Sequence, residues 1–145
     1  MAIMLRIPFG LAALVLVAAF AGPVAASDRT ICVRGEIDQR VAACTRLINV
    51  YRASTSKTSR TQATVGEAYR ARGIAYRLKG DYDRAIADLT VSIRLYPIEE
   101  AYNSRGHAYR SKGDFDHALA DYSEAIRMAL FAKNVVPYPS ASAMQ

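Results

Sequence analysis

Hydrophobic and polar positions between Glu67 and Arg127 repeat with a period of 33 residues. The 28-residue segment Glu67–Arg94 and the segment Glu100–Arg127 are identical at 17 positions when one is shifted onto the other. Within each copy the apolar residues recur three, four and seven positions apart, which is the spacing of one helix face. No part of these copies has the period-two alternation of a strand. The pattern predicts an all-α fold of similar units that bury their apolar faces on one another.

A short polar segment separates two helical stretches within each copy. It is LKGDYD (Leu78–Asp83) in the first copy and SKGDFD (Ser111–Asp116) in the second. Glycine readily takes the left-handed conformation that ends a helix, and an aspartate directly after it can cap the next helix. Each copy is therefore predicted to be an antiparallel helix hairpin.

Residues at fixed places in the two copies resemble those of tetratricopeptide repeats, whose pattern is W-x2-L-G-x2-Y…A-x3-F…P over about 34 residues. The aromatic, glycine, tyrosine and alanine sites are filled by Tyr69, Gly73, Tyr76 and Ala85, and in the second copy by Tyr102, Gly106, Tyr109 and Ala118. Pro97 fills the terminal proline site, whereas the second copy has Leu130 there. The resemblance, to small exported bacterial members of the family, implies a TPR-like α-solenoid with repeats at about 66–98 and 99–131.

These matched residues are interpreted as structural packing residues. A glycine or alanine where two helices cross lets the backbones approach, and aromatic rings fill the space beside the crossing. Gly73 is expected to face Ala85, and Gly106 to face Ala118. The tyrosines could alternatively stack on a ligand.

Arg72 and Arg105 occupy the site where the family usually has leucine. A guanidinium at an apolar site must extend to water or pair with an acid. Asp88 and Asp121, in the following helices, have the matching register and are the predicted partners.

Helical spacing also occurs before the repeats, in Ile37–Tyr51. This segment is predicted to be the second helix of a degenerate repeat, so the fold contains two clear repeats plus one degenerate N-terminal helix. The Ser- and Thr-rich stretch Ala53–Thr64 is predicted to contain a loop, with Ser59 or Thr61 as the cap of the next helix.

The last helix is expected from Phe115 to about Ala132, after which two prolines in 134–145 prevent its continuation. These final residues are predicted to be a flexible tail. Alternatively, Val135, Val136 and Tyr138 fold back over the last repeat.

The first 26 residues have the organisation of a signal peptide. Arg6 precedes an apolar run, Leu11–Ala21, and the small residues that end at Ala26 fit cleavage before Ser27. The run is short for a membrane span, although an uncleaved anchor remains an alternative. The sequence predicts a signal peptide (1–26), a helical domain (27–133) and a periplasmic or secreted location.

Cys32 and Cys44 are the only two cysteines of the chain. In an oxidising compartment such a pair readily forms a disulfide, which here would tie an extended segment around Thr30–Arg34 to the helix that carries Cys44. Two free buried thiols or half of a metal site are the alternatives. No Cys-x-x-Cys occurs and no histidine is near in sequence, so a structural disulfide is predicted and no metal.

Signatures of enzymes are missing from the sequence: it has no glycine-rich phosphate loop, no G-x-S-x-G and no H-E-x-x-H. The two histidines, His107 and His117, belong to different predicted helices. The protein is therefore predicted not to be an enzyme and to use no cofactor. The formal net charge is +6, but basic residues are interleaved with acidic ones, which does not favour specific nucleic-acid binding.

The resemblance implies a concave groove, lined by the first helix of each repeat, that holds a peptide. By the family's geometry, the groove candidates are Arg70, Ile74, Arg77, Asn103, His107 and Arg110. Arginine forks suit carboxylates, so an acidic segment is the expected guest, unless these arginines are ordinary solvated groups.

The expected function is that of an exported adaptor that binds another protein or peptide. One alternative is an accessory subunit or homo-oligomer that docks through the ends of the repeat stack, since two clear repeats are fewer than the usual three. The other is a weak polyanion binder.

Overall fold

Antiparallel helix hairpins stacked side by side form the fold. The computed structural model describes residues 21–55 and 58–133, and over these ranges it contains six α-helices and no strand. The helices are α1 (Ala21–Arg34), α2 (Ile37–Ala53), α3 (Ser59–Leu78), α4 (Tyr82–Leu95), α5 (Glu99–Lys112) and α6 (Phe115–Ala132). Each helix packs chiefly on its neighbours in the chain. The predicted all-α repeat fold is confirmed; the predicted tail and residues 1–20 of the predicted leader lie outside the described ranges.

Glycine and aspartate make the turns inside both repeats, as the sequence predicts. Gly80 and Gly113 have φ angles of 79° and 89°, which a residue with a Cβ rarely adopts. The carboxylates of Asp81 and Asp114 each accept a hydrogen bond, 3.2 Å long, from the backbone N–H three residues later. These caps fix where α4 and α6 begin.

The two helices of each repeat cross at a glycine. A Cβ added at Gly73 would lie 2.8 Å from Cγ of Leu89 and 3.1 Å from the carbonyl oxygen of Ala85. A Cβ at Gly106 would lie 2.8 Å from the ring of Tyr122 and 3.3 Å from the carbonyl oxygen of Ala118. Only glycine allows the two backbones to approach this closely.

Gly73→Ala is expected to lower the free energy of unfolding by about 1 kcal/mol. Overpacking costs about 1–3 kcal/mol, and Leu89 is fully buried and cannot move aside freely, whereas alanine gains up to about 1 kcal/mol in helix propensity. Urea denaturation followed by circular dichroism measures the difference. Ser111→Ala, at an exposed helical position, is the control. A Gly73→Ala protein as stable as the wild type would contradict the close crossing.

The N-terminal part forms a hairpin of two helices, α1 and α2, one helix more than the sequence predicted. Segment 30–34, expected to be extended, is the end of α1, so that expectation is wrong. The apolar residues of this segment are too few to show a helical period. Contacts with α2 hold α1 in place instead: Cys32 is buried against α2, and Asp28 accepts hydrogen bonds of 2.9 and 2.5 Å from Arg46. The sulfur atoms of Cys32 and Cys44 lie 2.07 Å apart and form a disulfide.

The α1–α2 hairpin packs as a third, degenerate repeat. Nη1 of Arg72 donates to Thr45 on α2 (2.9 Å), just as Nη1 of Arg105 donates to Thr90 on α4 (3.0 Å). Thus α2 lies against α3 as α4 lies against α5. Buried residues of α1, α2 and α3 make one apolar cluster, and a second joins α4 and α5.

Helix α3 begins at Ser59, earlier than the composition of 53–64 suggested. Thr58 is the N-cap, and its hydroxyl accepts a hydrogen bond from the backbone N–H of Thr61 (3.3 Å). The Thr64 hydroxyl donates to the carbonyl of Arg60 within the helix (2.9 Å). Side chains that favour a loop are here satisfied by the helix itself. Within the described ranges, no helix has the length and apolar character needed to cross a membrane.

Candidate functional site

The six groove candidates lie on α3 and α5, the first helices of the two clear repeats. Asn103 and Arg110 are exposed, and the other four are half-buried. All six therefore keep some contact with solvent, and they belong to two helices that are neighbours in the stack.

Three of these candidates come together around His107. Burial lowers the pKa of the His107 imidazole below its usual 6.5, and the positive charges of Arg110 and Arg77 lower this pKa further. Nδ1 of His107 lies 3.0 Å from the hydroxyl of Tyr122, whose ring meets the imidazole edge-on. The neutral form of His107 is therefore favoured at pH 7, and its protonation would add a third positive charge to the cluster.

Arg77 and Arg110 form no ion pair with any residue in 27–55 or 58–133. Nε of Arg77 is buried without a hydrogen-bond partner among these residues. A buried donor left unpaired costs free energy, which an incoming acceptor can recover. The cluster of Arg77, His107 and Arg110 therefore offers guanidinium donors that no carboxylate of the chain neutralises.

Arg70 and Asn103 lie apart from this cluster. The Arg70 guanidinium donates to both carboxylate oxygens of Glu67 (2.9 and 2.6 Å), and the charge of Glu100 also contributes to the raised pKa of Arg70. This arginine is already neutralised by the chain. Asn103 lines a cleft of about 370 Å³ between α5 and α6, with Tyr122 and Ile126.

Arg72 and Arg105 are engaged inside the repeats, in the register that the sequence predicts. Nε and Nη2 of Arg72 donate to the two carboxylate oxygens of Asp88 at 2.7 and 2.8 Å. Arg105 binds Asp121 in the same way, at 2.8 and 2.7 Å. These carboxylates raise the pKa of both arginines, which stay charged. The arrangement is structural, since each pair joins the two helices of one repeat.

The tyrosines of the repeat pattern surround these arginines. The guanidinium carbon of Arg72 lies 5.4 Å from the ring centre of Tyr69 and 6.0 Å from that of Tyr76. In the second repeat, Arg105 lies 5.9 Å from the rings of both Tyr102 and Tyr109. The rings thus provide cation–π contacts to a charge that would otherwise face an apolar crossing.

A larger cleft, of about 570 Å³, lies away from the groove candidates, between α2, α3 and α4. Its lining consists of Tyr51, Arg52, Ser54, Thr61, Gln62, Val65, Tyr69, Val91, Arg94 and Leu95. The sequence did not predict this cleft, because one of its walls is formed by the first turns of α3. Helix α5 has no equivalent of these turns. Across the described ranges, no group of three or more His, Cys, Asp or Glu residues could hold a metal ion.

Two family models with the description tetratricopeptide repeat match the chain, over residues 66–98 and 99–129. The first match covers most of α3 and all of α4, and the second covers α5 and most of α6. Compared with curated proteins, the chain has no significant match.

Proposed function

Since the chain is a tetratricopeptide-repeat protein, and such repeats form protein–protein interaction modules, we propose that it is an exported adaptor whose groove binds an acidic segment of another polypeptide. The observation that carries the proposal is the pair Arg77 and Arg110. They stand at equivalent positions of successive repeats, beside His107, and no described carboxylate pairs with them.

The contrast within each repeat supports this assignment. Arg72 and Arg105 are each neutralised by an aspartate of the same repeat, whereas Arg77 and Arg110 are not. Guanidinium forks bind carboxylates through two parallel, charge-assisted hydrogen bonds. A guest carboxylate would therefore satisfy the buried Nε of Arg77 and offset the repulsion within the cluster.

The spacing of the repeats sets the spacing of the guest's charges. Helices α3 and α5 are in contact, and contacting helices lie about 8–10 Å apart. An extended peptide advances about 3.3 Å per residue, so carboxylates about three positions apart match the two arginines. The preferred guest is thus an extended segment with two acidic residues at that spacing.

Arg77→Glu with Arg110→Glu is expected to abolish capture of a fluorescein-labelled peptide that carries two glutamates three positions apart. Capture is followed by fluorescence anisotropy, and circular dichroism checks that helicity is unchanged. Full binding by the double variant would discard the groove assignment.

Binding of the same peptide by wild-type protein should also tighten as the pH falls below 6.5, because His107 then gains charge.

Arg52→Glu with Arg94→Glu is the matched control. It makes the same change in net charge at two exposed arginines that line the other cleft. Equal weakening by both double variants, together with steep weakening by salt, would favour the weak polyanion binder over the groove.

Export is a separate part of the proposal, which rests on the leader sequence and on the disulfide. Paired cysteines suit an oxidising compartment, and both cysteines follow the predicted cleavage point at Ala26/Ser27. The ion pair between Asp28 and Arg46 also involves only residues that cleavage retains. Cell fractionation with mass spectrometry tests this proposal: a chain that begins at Ser27 in a periplasmic or secreted fraction supports it, and recovery only from the cytoplasmic fraction, with the leader intact, contradicts it.

A further inference from the structure

The outer face of α6, defined by Phe115, Leu119, Ile126 and Leu130, is a stripe of exposed apolar side chains. Phe115, Leu119 and Ile126 are 69%, 68% and 62% exposed. Their spacing places all four residues on one side of the helix. An exposed apolar stripe of this length, which no described residue covers, indicates an interaction surface.

The preceding repeat shows what such a face is suited to hold. The residues of α4 that correspond to Leu119 and Ile126 are Ile86 and Ile93, and both are half-buried because α5 packs on α4. After α6, no further helix of the described chain takes the equivalent place, and the α5–α6 cleft beside Tyr122 and Ile126 is open. The face is therefore shaped for another helix.

The opposite end of the stack has a different character. Thr45 of α2 corresponds to Thr90 of α4, so Cys44 of α2 corresponds to Leu89 of α4. Cys32 lies against Cys44 as Gly73 lies against Leu89, and Cys32 of α1 therefore corresponds to Gly73 of α3. In that register, Ser27 and Thr30 take the places of the buried Ala68 and Ala71, and they are polar and exposed. A head-to-tail stack would press this polar end onto the apolar α6 face, which is unfavourable.

We propose that the outer face of α6 pairs, antiparallel and about a two-fold axis, with the same face of a second copy of this chain. The spacing of the four apolar residues is the same in both directions along the helix. An antiparallel pair therefore places Leu119 beside Ile126 of the second copy, and Phe115 beside Leu130. A two-fold contact of this kind closes at the dimer.

The charges beside the stripe fit the same arrangement. Asp116 and Arg127 lie on one flank of α6, and both are exposed. In the antiparallel pair, this flank of one copy meets the same flank of the second copy, so Asp116 comes near Arg127 of the second copy. Arg127 can at the same time keep its contact with Glu124 in its own helix. In a parallel pair about a two-fold axis, this flank would instead face the opposite flank of the second copy, and Asp116 would not meet Arg127.

The size of the face sets the expected affinity. Helix α6 has 18 residues, which corresponds to a length of about 27 Å. Two such helices side by side bury roughly 1,000 Å² in total, near the lower limit of specific interfaces. The dimer is therefore expected to dissociate at micromolar concentrations.

Sedimentation velocity of the mature chain, from about 1 to about 300 µM, is the first test. The wild type is expected to change from monomer to dimer over this range, and Leu119→Glu with Ile126→Glu to stay monomeric with unchanged helicity. Val50→Glu is the matched control, because Val50 of α2 is 61% exposed but lies elsewhere, and it should still dimerise. A wild type that is monomeric throughout, or that grows beyond the dimer, would overturn the proposal.

Cross-linking tests the two-fold axis directly. Ser123 is exposed and lies beside the midpoint of the stripe, so Ser123→Cys is expected to form an intermolecular disulfide under mild oxidation, whereas Val50→Cys is not. Equal cross-linking of both variants would contradict the axis.

A chain ending at Lys133 tests another occupant: if only that shortened chain dimerises, residues 134–145 cover α6 and the second copy does not. The assignment is independent of the groove, since neither Arg77 nor Arg110 is on this face.

Discussion

Asp88→Ala is expected to lower the free energy of unfolding by about 2–3 kcal/mol. The Asp88 side chain is buried, and its two oxygens accept the hydrogen bonds from Nε and Nη2 of Arg72. Removing the carboxylate leaves a guanidinium without a counter-charge at the crossing of α3 and α4. The expected loss is below that of a fully enclosed pair, because the Arg72 side chain is still 16% exposed to water. Urea denaturation of both proteins measures it.

Arg72→Leu combined with Asp88→Ala is expected to restore most of that stability. Leucine is the usual residue of the family pattern at this site, and replacing both partners of a buried ion pair by apolar residues is often neutral. The single change Arg72→Leu should be destabilising, because it leaves Asp88 buried and unpaired. A double-mutant cycle separates these terms. A double variant as unstable as the sum of the two single variants would contradict this account.

The repeat made this pair predictable. Arg72 and Arg105 stand at the same place in two copies, as do Asp88 and Asp121, so a partner proposed for one copy had to fit the other. The same logic predicted the turns at Gly80 and Gly113, because each is followed directly by a capping aspartate. Both features depend on residues that are close in sequence or that occupy equivalent positions in both copies.

The N-terminal hairpin lacked such a signal. Helix α1 has no second copy to compare with, and few of its residues are buried, so segment 30–34 carried no visible helical period. Its conformation is decided by contacts with α2, through Cys32 and through Asp28. Tertiary contacts of this kind override weak local preference, and one sequence does not display them.

Within the groove, the positions of the candidates were predictable from the sequence, but which of their charges are neutralised was not. Arg70 has Glu67 three residues before it, a spacing at which opposite charges meet on a helix, so this pairing was available as a signal and was missed. For Arg77 and Arg110, the absence of an ion pair with any described residue depends on the placement of α4, α5 and α6, which the period alone does not define.

Cys32→Ala with Cys44→Ala is expected to lower the free energy of unfolding by about 3 kcal/mol. The bond closes a loop with a sequence separation of 12, and a cross-link of that size restricts the unfolded chain by about that amount. Both cysteines are buried between α1 and α2, so alanine also leaves space at their contact. Urea denaturation under non-reducing conditions measures the loss.

Reductant provides the control for this variant. A thiol or phosphine reductant should destabilise the wild type by a similar amount and leave the double alanine variant unchanged. Because stability in stacked repeats depends on each unit and its neighbours, the loss should fall first on α1 and α2. Hydrogen exchange should therefore show faster exchange of amides in these two helices, while α5 and α6 remain protected. Equal loss of protection in all six helices described by the structure would mean that the disulfide stabilises the whole stack as one cooperative unit rather than its N-terminal hairpin.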